Sequence, residues 1–148
     1  MTELRVLGID LGSERIGIAV SDRSGTIATP LSVLQRSGRR AIDHQRIAAL
    51  VAEEEAELVV VDMPWSMSGR AGPAARYAAV EARQLGTVVG VPVETFDERL
   101  TTVSADRILI EAGLDAPRRR KVVDKVAAAV MLQSWLDGRR ARQGAVPS

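Results

Sequence analysis

Five acidic residues occupy positions where a carboxylate needs a reason. Asp10 interrupts an apolar run between Ile9 and Leu11, Asp62 follows the apolar residues 58–61, Asp97 and Glu98 follow residues 88–96, and Asp124 lies near the start of the last helical stretch. A carboxylate within a buried strand is destabilising unless it is paired, protonated or bound to a cation. The chain has no cysteine and a single histidine, His44. A metal held by converging acids would therefore be bound through hard oxygen ligands, the chemistry of Mg²⁺ or Mn²⁺. Such a cation allows neighbouring carboxylates to stay ionised together. It also activates a water and stabilises the leaving oxygen of a phosphodiester. The competing reading makes the same acids helix caps and surface ion pairs.

The elements around these acids decide whether they can meet. Residues 4–11 are apolar at both parities apart from Arg5 and Asp10, the pattern of a strand covered on both faces. After the turn Gly12-Ser13-Glu14, Ile16, Ile18 and Val20 alternate with smaller residues, which predicts an antiparallel partner. A third strand over 26–34 is weakened by Pro30 and belongs at an edge. A helix carrying Ile47, Leu50 and Val51 follows, then the apolar run 58–61 as a buried strand ending in Asp62. Loop chemistry over 63–73 leads to a helix with Pro73 in its first turn that ends at Gly86, with Ala74, Tyr77, Ala78, Ala82 and Leu85 as its apolar stripe.

A fifth strand over 88–96 is followed by a helix with Ala105, Ile108, Leu109 and Ala112 on one side. A basic loop over 114–120 and a last helix over about 121–137 complete the order. Val123, Val126 and Val130 lie on one face of that helix, and Asp124, Ala127, Ala128, Met131 and Trp135 on a neighbouring one. The expected fold is α/β: a mixed five-stranded sheet, a three-strand antiparallel meander plus two parallel strands, with helices on both faces. The carboxyl ends of strands one, four and five then share an edge, where open α/β sheets place their sites. Asp10, Asp62, Asp97 and Glu98 fall there, and Asp124 is placed to lean over it.

A chain of 148 residues with 46% apolar residues suits one domain with its own core. We read residues 1–138 as that domain and 139–148 as a basic, flexible tail. The absence of cysteine fits a reducing compartment, and no apolar run reaches the length of a membrane span, so the expected location is cytoplasmic with no membrane partner. Net charge is +1, but basic residues gather at Arg36, Arg39 and Arg40, at Arg118, Arg119, Arg120 and Lys121, and at Arg139, Arg140 and Arg142. Such segregation permits a basic binding face, although any one cluster is also explained as a solvated surface.

Three blocks in order carry a family resemblance: GIDLGSERIGIAVSD near the start, DERLTT at 97–102, and VDKVAAAVMLQSWLD at 123–137. They resemble the signature blocks of the YqgF (RuvX) family, and the likeness runs to about Asp137. The resemblance implies an RNase H-like fold. It also implies a bacterial nuclease tied to maturation of precursor 16S ribosomal RNA during ribosome biogenesis and first described as a Holliday junction resolvase. Carried over by position, it implies that Asp10, Glu98 and Asp124 are the catalytic, metal-binding acids. Where the family usually has a Gly-Leu-Pro-Leu-Asn-like segment, this chain has Asp62-Met63-Pro64-Trp65-Ser66. Asp62 is thus either a fourth carboxylate or, the reading we favour, an Asx-type cap of the loop.

The expected activity is metal-dependent hydrolysis of phosphodiesters in precursor ribosomal RNA or branched DNA, with ribosomal particles as possible partners. Arg15, Arg99, Arg118, Arg119, Arg120 and Lys121 are the candidate nucleic-acid contacts. Trp65 is either a base-stacking residue or packed over a helix, Lys125 is read as solvent-facing, and His44 as a helix-surface residue. Two other classes compete. A nucleotide-binding ATPase of the actin-like kind would need a second domain, and a non-catalytic ribosome-assembly factor would bind without cutting. Oligomeric state is open, although resolving a four-way junction requires two sites in paired symmetry.

Overall fold

The computed structural model describes residues 4–63, 73–97 and 116–144. Strands β1 (Val6–Leu11), β2 (Arg15–Ser21) and β3 (Ala28–Gln35) form the antiparallel meander, helix α1 (Arg40–Glu53) crosses over to β4 (Leu58–Met63), and α2 (Pro73–Gly86) crosses over to β5 (Val93–Asp97). The last helix, α3, spans Ala116–Gly144. The sheet order is β3-β2-β1-β4-β5, with β4 parallel to β1 and β5 parallel to β4. Pro30 lies in β3, the outermost strand of the meander, as its missing N–H requires.

Strand parity divides the core into two layers. Leu7, Ile9, Ile16, Ile18, Val59 and Val61 pack with Ile47 and Val51 of α1 and with Ala82 and Leu85 of α2. The alternate positions, Val6, Ala19, Leu58 and Val60, pack with Ala128, Met131, Leu132, Trp135 and Leu136 of α3. Helices therefore cover both faces. Gly8 is what lets α3 come close: a Cβ there would stand 2.9 Å from the Leu132 Cβ. On the meander side, the Gln133 amide of α3 accepts from the Ala28 N–H (2.9 Å) and donates to the Thr26 carbonyl (2.8 Å).

Several elements differ from their sequence-based reading. The fifth strand begins at Val93 rather than near 88, because residues 87–91 form the turn out of α2, with Gly90 at φ 73°. The last helix begins at Ala116, so Arg118, Arg119, Arg120 and Lys121 belong to its first turns rather than to a loop. Pro117 is tolerated there because a first-turn N–H has no intrahelical partner to lose. The same helix runs on to Gly144. In α2, Tyr77 is 70% exposed, and the buried stripe is Ala75, Ala78, Ala82 and Leu85. Small side chains let that helix approach the sheet without the aromatic ring. The helix expected over 101–113 lies outside the described residues.

Candidate functional site

β1 delivers Asp10 to the carboxyl edge of the sheet. Its pairing with β4 runs Val6↔Leu58 to Ile9↔Val61, and the register continued by one residue sets Asp10 level with Asp62. Both acids have the parity of Val6 and Val60, and so lie on the face covered by α3. Asp62 is 1% exposed and sits inside β4 opposite Phe96 of β5. The strand expected to end in Asp62 extends to Met63, so Asp62 is a strand position facing the α3 layer, and the loop it would cap lies outside the described residues. Arg15 begins β2 at the same edge and shares the parity of Ala19, hence the same face as Asp10.

Helix α3 runs antiparallel to β1. Gly8 lies against Ala128 and Leu132, while Gly25, beside the Leu4 carbonyl at the opposite edge of the sheet, lies against Leu136 and Arg139. Moving from Gly8 to Asp10 advances about 7 Å along the strand. That distance equals between four and five helical residues at about 1.5 Å each. The stretch of α3 level with Asp10 therefore falls within residues 123–128, which include position 124. The side chains of Asp124, Arg118, Arg119, Arg120 and Lys121 lie outside those described, as do Glu98, Arg99 and Trp65 altogether. Among the described residues no three His, Cys, Asp or Glu side chains come together as a cation site. Asp10 and Asp62 nevertheless fit one chemically, since both offer hard oxygen donors from adjacent strands on one face.

On the other side of the β1–β2 turn stands a buried polar network that sequence reasoning missed. Arg36 donates from Nη1 and Nη2 to the two Glu81 oxygens (2.8 and 2.9 Å) and from Nε to the Gly12 carbonyl (2.8 Å). Its backbone N–H also bonds the Glu14 carbonyl at 2.9 Å. One guanidinium thus ties the turn after Asp10 to helix α2. His44 Nε2 lies 2.8 Å from Glu81 Oε2, and His44 is 2% exposed rather than on the helix surface. Burial pushes the Glu81 carboxyl up, but hydrogen bonds from Arg36 and His44 and the charges of Arg36 and Arg40 outweigh it and hold the group below its ordinary value. Asp43, also buried, accepts from the Ser37 N–H at 3.0 Å and lies 3.8 Å from Arg46.

Gly12 makes the turn possible, since a Cβ there would come within 2.4 Å of the Arg15 carbonyl oxygen. Asp10, the turn, Arg36, Arg40, Tyr77 and Glu81 line an open cleft of about 610 Å³. None of this could be read from spacing alone, because Glu81 lies 37 residues from His44 and 45 from Arg36. The one available signal was a histidine at position 44, three residues before the core position Ile47 on α1.

A mixed sheet in this order, with an acid at the carboxyl edge of its first strand, defines a RuvC-like fold of the RNase H kind. Two solved structures bear this out. The RuvC of T. thermophilus in complex with a Holliday junction substrate matches with TM-score 0.59 and 22% identity over 93% of this chain and 96% of that one. A second Thermus thermophilus RuvC structure matches with TM-score 0.56 and 20% identity.

The chain belongs to the RuvX family, whose model, described as Holliday junction resolvase, matches residues 4–138. It is a family of nucleases, and so of hydrolases. A relative from Mycobacterium sp. (strain KMS), named "Putative pre-16S rRNA nuclease", is 49% identical over 138 residues, 93% of this chain and 82% of its own length. One of the same name from Anaeromyxobacter sp. (strain Fw109-5) is also 49% identical, over 93% of this chain and its whole length. Among the described residues no helix is long and apolar enough to cross a membrane.

Proposed function

We propose that this chain is a Mg²⁺- or Mn²⁺-dependent nuclease that trims precursor 16S ribosomal RNA, and that it works in the cytoplasm on free precursor or on ribosomal particles. What supports the reading is the opposed run of β1 and α3: the N-terminal half of α3, which carries Asp124, runs toward the sheet edge where β1 ends in Asp10 and Leu11. Glu98 follows directly on β5, whose carboxyl end shares that edge. Asp10, Glu98 and Asp124 would hold the cation, with Asp62 enlarging the acidic set. A bound divalent ion supplies an activated water and stabilises the leaving oxygen.

The remaining work falls to this chain's own side chains. The acids fix the reacting centre at the sheet edge, and the Arg36 clamp holds the turn behind Asp10 in one geometry, so the carboxylate is preorganised before substrate arrives. Arg15, on the Asp10 face, and Arg99 would hold the scissile strand. Arg118, Arg119, Arg120 and Lys121, in the first turns of α3, would steer the backbone toward the acids.

The family description and the RuvC likeness favour a second substrate, the four-way DNA junction. Cleavage of precursor 16S RNA and of a four-way junction, measured side by side with Mg²⁺, decides between them. Faster cutting of the RNA is expected. Cutting of the junction alone would overturn the RNA assignment, and binding of both with cutting of neither would favour an assembly factor.

A further inference from the structure

The cleft beside Asp10 has two walls that the acidic centre does not use. Its carboxylates are committed inside the fold: Glu81 to both Arg36 nitrogens and His44, Asp43 to the Ser37 N–H and Arg46. Arg40, the first residue of α1, is the cleft cation that stays most open to solvent. Its Nη1 donates to the Gln84 amide at 3.1 Å, its Nε stands 3.8 Å from Glu81, and its side chain remains 44% exposed. Across the cleft, α2 presents Tyr77 at 70% exposure, one helical turn before Glu81. An aromatic ring left in water on a helix whose neighbouring stripe is buried by alanines gains nothing from the core. Together with a tethered guanidinium at the same cleft, it matches the way single strands are held, by a base on an aromatic face and a phosphate on a cation.

We propose that this cleft is a subsite for one unpaired nucleotide next to the scissile phosphate, with its base on Tyr77 and its phosphate on Arg40. The Gly12-Ser13 turn forms the floor between that nucleotide and Asp10. The subsite rests on the reading of this edge as a nucleic-acid site, and it adds a selectivity: a strand already single at that position enters, whereas a paired base cannot reach Tyr77. The site would therefore favour single-stranded ends or loops over continuous duplex.

The test is binding without cleavage, so that it stands apart from the question of activity. Asp10→Asn protein is titrated, by fluorescence anisotropy, into a labelled short single-stranded RNA and into a blunt duplex of the same sequence. Adding Tyr77→Ala is expected to weaken the single strand about tenfold and the duplex less than twofold, and Tyr77→Phe to restore the single strand. Adding Arg40→Gln is expected to reduce the salt slope for the single strand by about 0.7, the loss of one phosphate contact. Because Tyr77 is exposed, its variants should melt as the parent does. Unchanged single-strand affinity in Tyr77→Ala, or equal losses on single strand and duplex, would overturn the proposal. Absence of cleavage by the unmodified chain would sink the nuclease reading without touching this result.

Discussion

Glu81 is a buried carboxylate that the fold keeps ionised, and its consequence is a pH dependence with a definite sign. Its folded-state pKa is depressed below the ordinary 4.5. Its contribution to stability is thus fully present above the unfolded value and is lost as pH falls through the lower folded value. Glu81→Gln removes that titration. Denaturant midpoints measured from about pH 7 down to about pH 3 should fall less steeply in the variant than in the parent, and the variant should be less stable at neutral pH. Breaking one side of a buried ion pair of this kind costs about 3 kcal/mol. Asp62 makes a different case. If its carboxylate shares a cation with Asp10, Asp62→Asn should weaken Mn²⁺ binding about tenfold in calorimetry with little change in melting temperature. Unchanged affinity would return Asp62 to a structural role within β4.

At the scale of elements, α1 ends in a Schellman motif: the Ala56 N–H bonds the Val51 carbonyl at 2.9 Å and the Glu55 N–H the Ala52 carbonyl at 3.2 Å. The motif demands a left-handed residue, and Glu55 occupies it at φ 53°. Glycine would relieve that strain, and the outward-facing Glu55 gives up only an exposed ion pair with Arg23 at 3.5 Å. Glu55→Gly is accordingly expected to stabilise the protein by about 0.5–1 kcal/mol, read from the urea midpoint.

The strands were legible in advance because their parity is a local property: Leu7 and Ile9 face one way, Val6 and Gly8 the other, whatever lies above them. The helical faces were less so. Tyr77 fell on an apolar period, yet its alanine neighbours make the contact. His44 looked like surface because Glu81, the group that keeps it buried, comes from another helix.

For the molecule as a whole, the meander and the two crossovers could be ordered from hydrophobic pattern and connection rules, and the sheet edge holding Asp10 followed from them. What pattern could not reach was tertiary and long-range: the Arg36–Glu81–His44 network, the cleft it supports, and the burial of Asp62 inside a strand longer than its apolar run. The two layers now have distinct assignments. The α3 side carries Asp10 and Asp62, and the side of α1 and α2 carries the clamp and the cleft.

If Asp10 anchors a cation-dependent hydrolytic centre, activity must depend on both the carboxylate and the cation. The most direct measurement is cleavage of precursor 16S RNA by the unmodified chain and by Asp10→Asn, with Mg²⁺ and after chelation. Cutting by the unmodified chain should stop on chelation and fall at least a thousandfold in Asp10→Asn, while that variant keeps its melting temperature and its RNA affinity. Full cleavage by folded Asp10→Asn, or cleavage that persists without divalent cations, would contradict that role for Asp10.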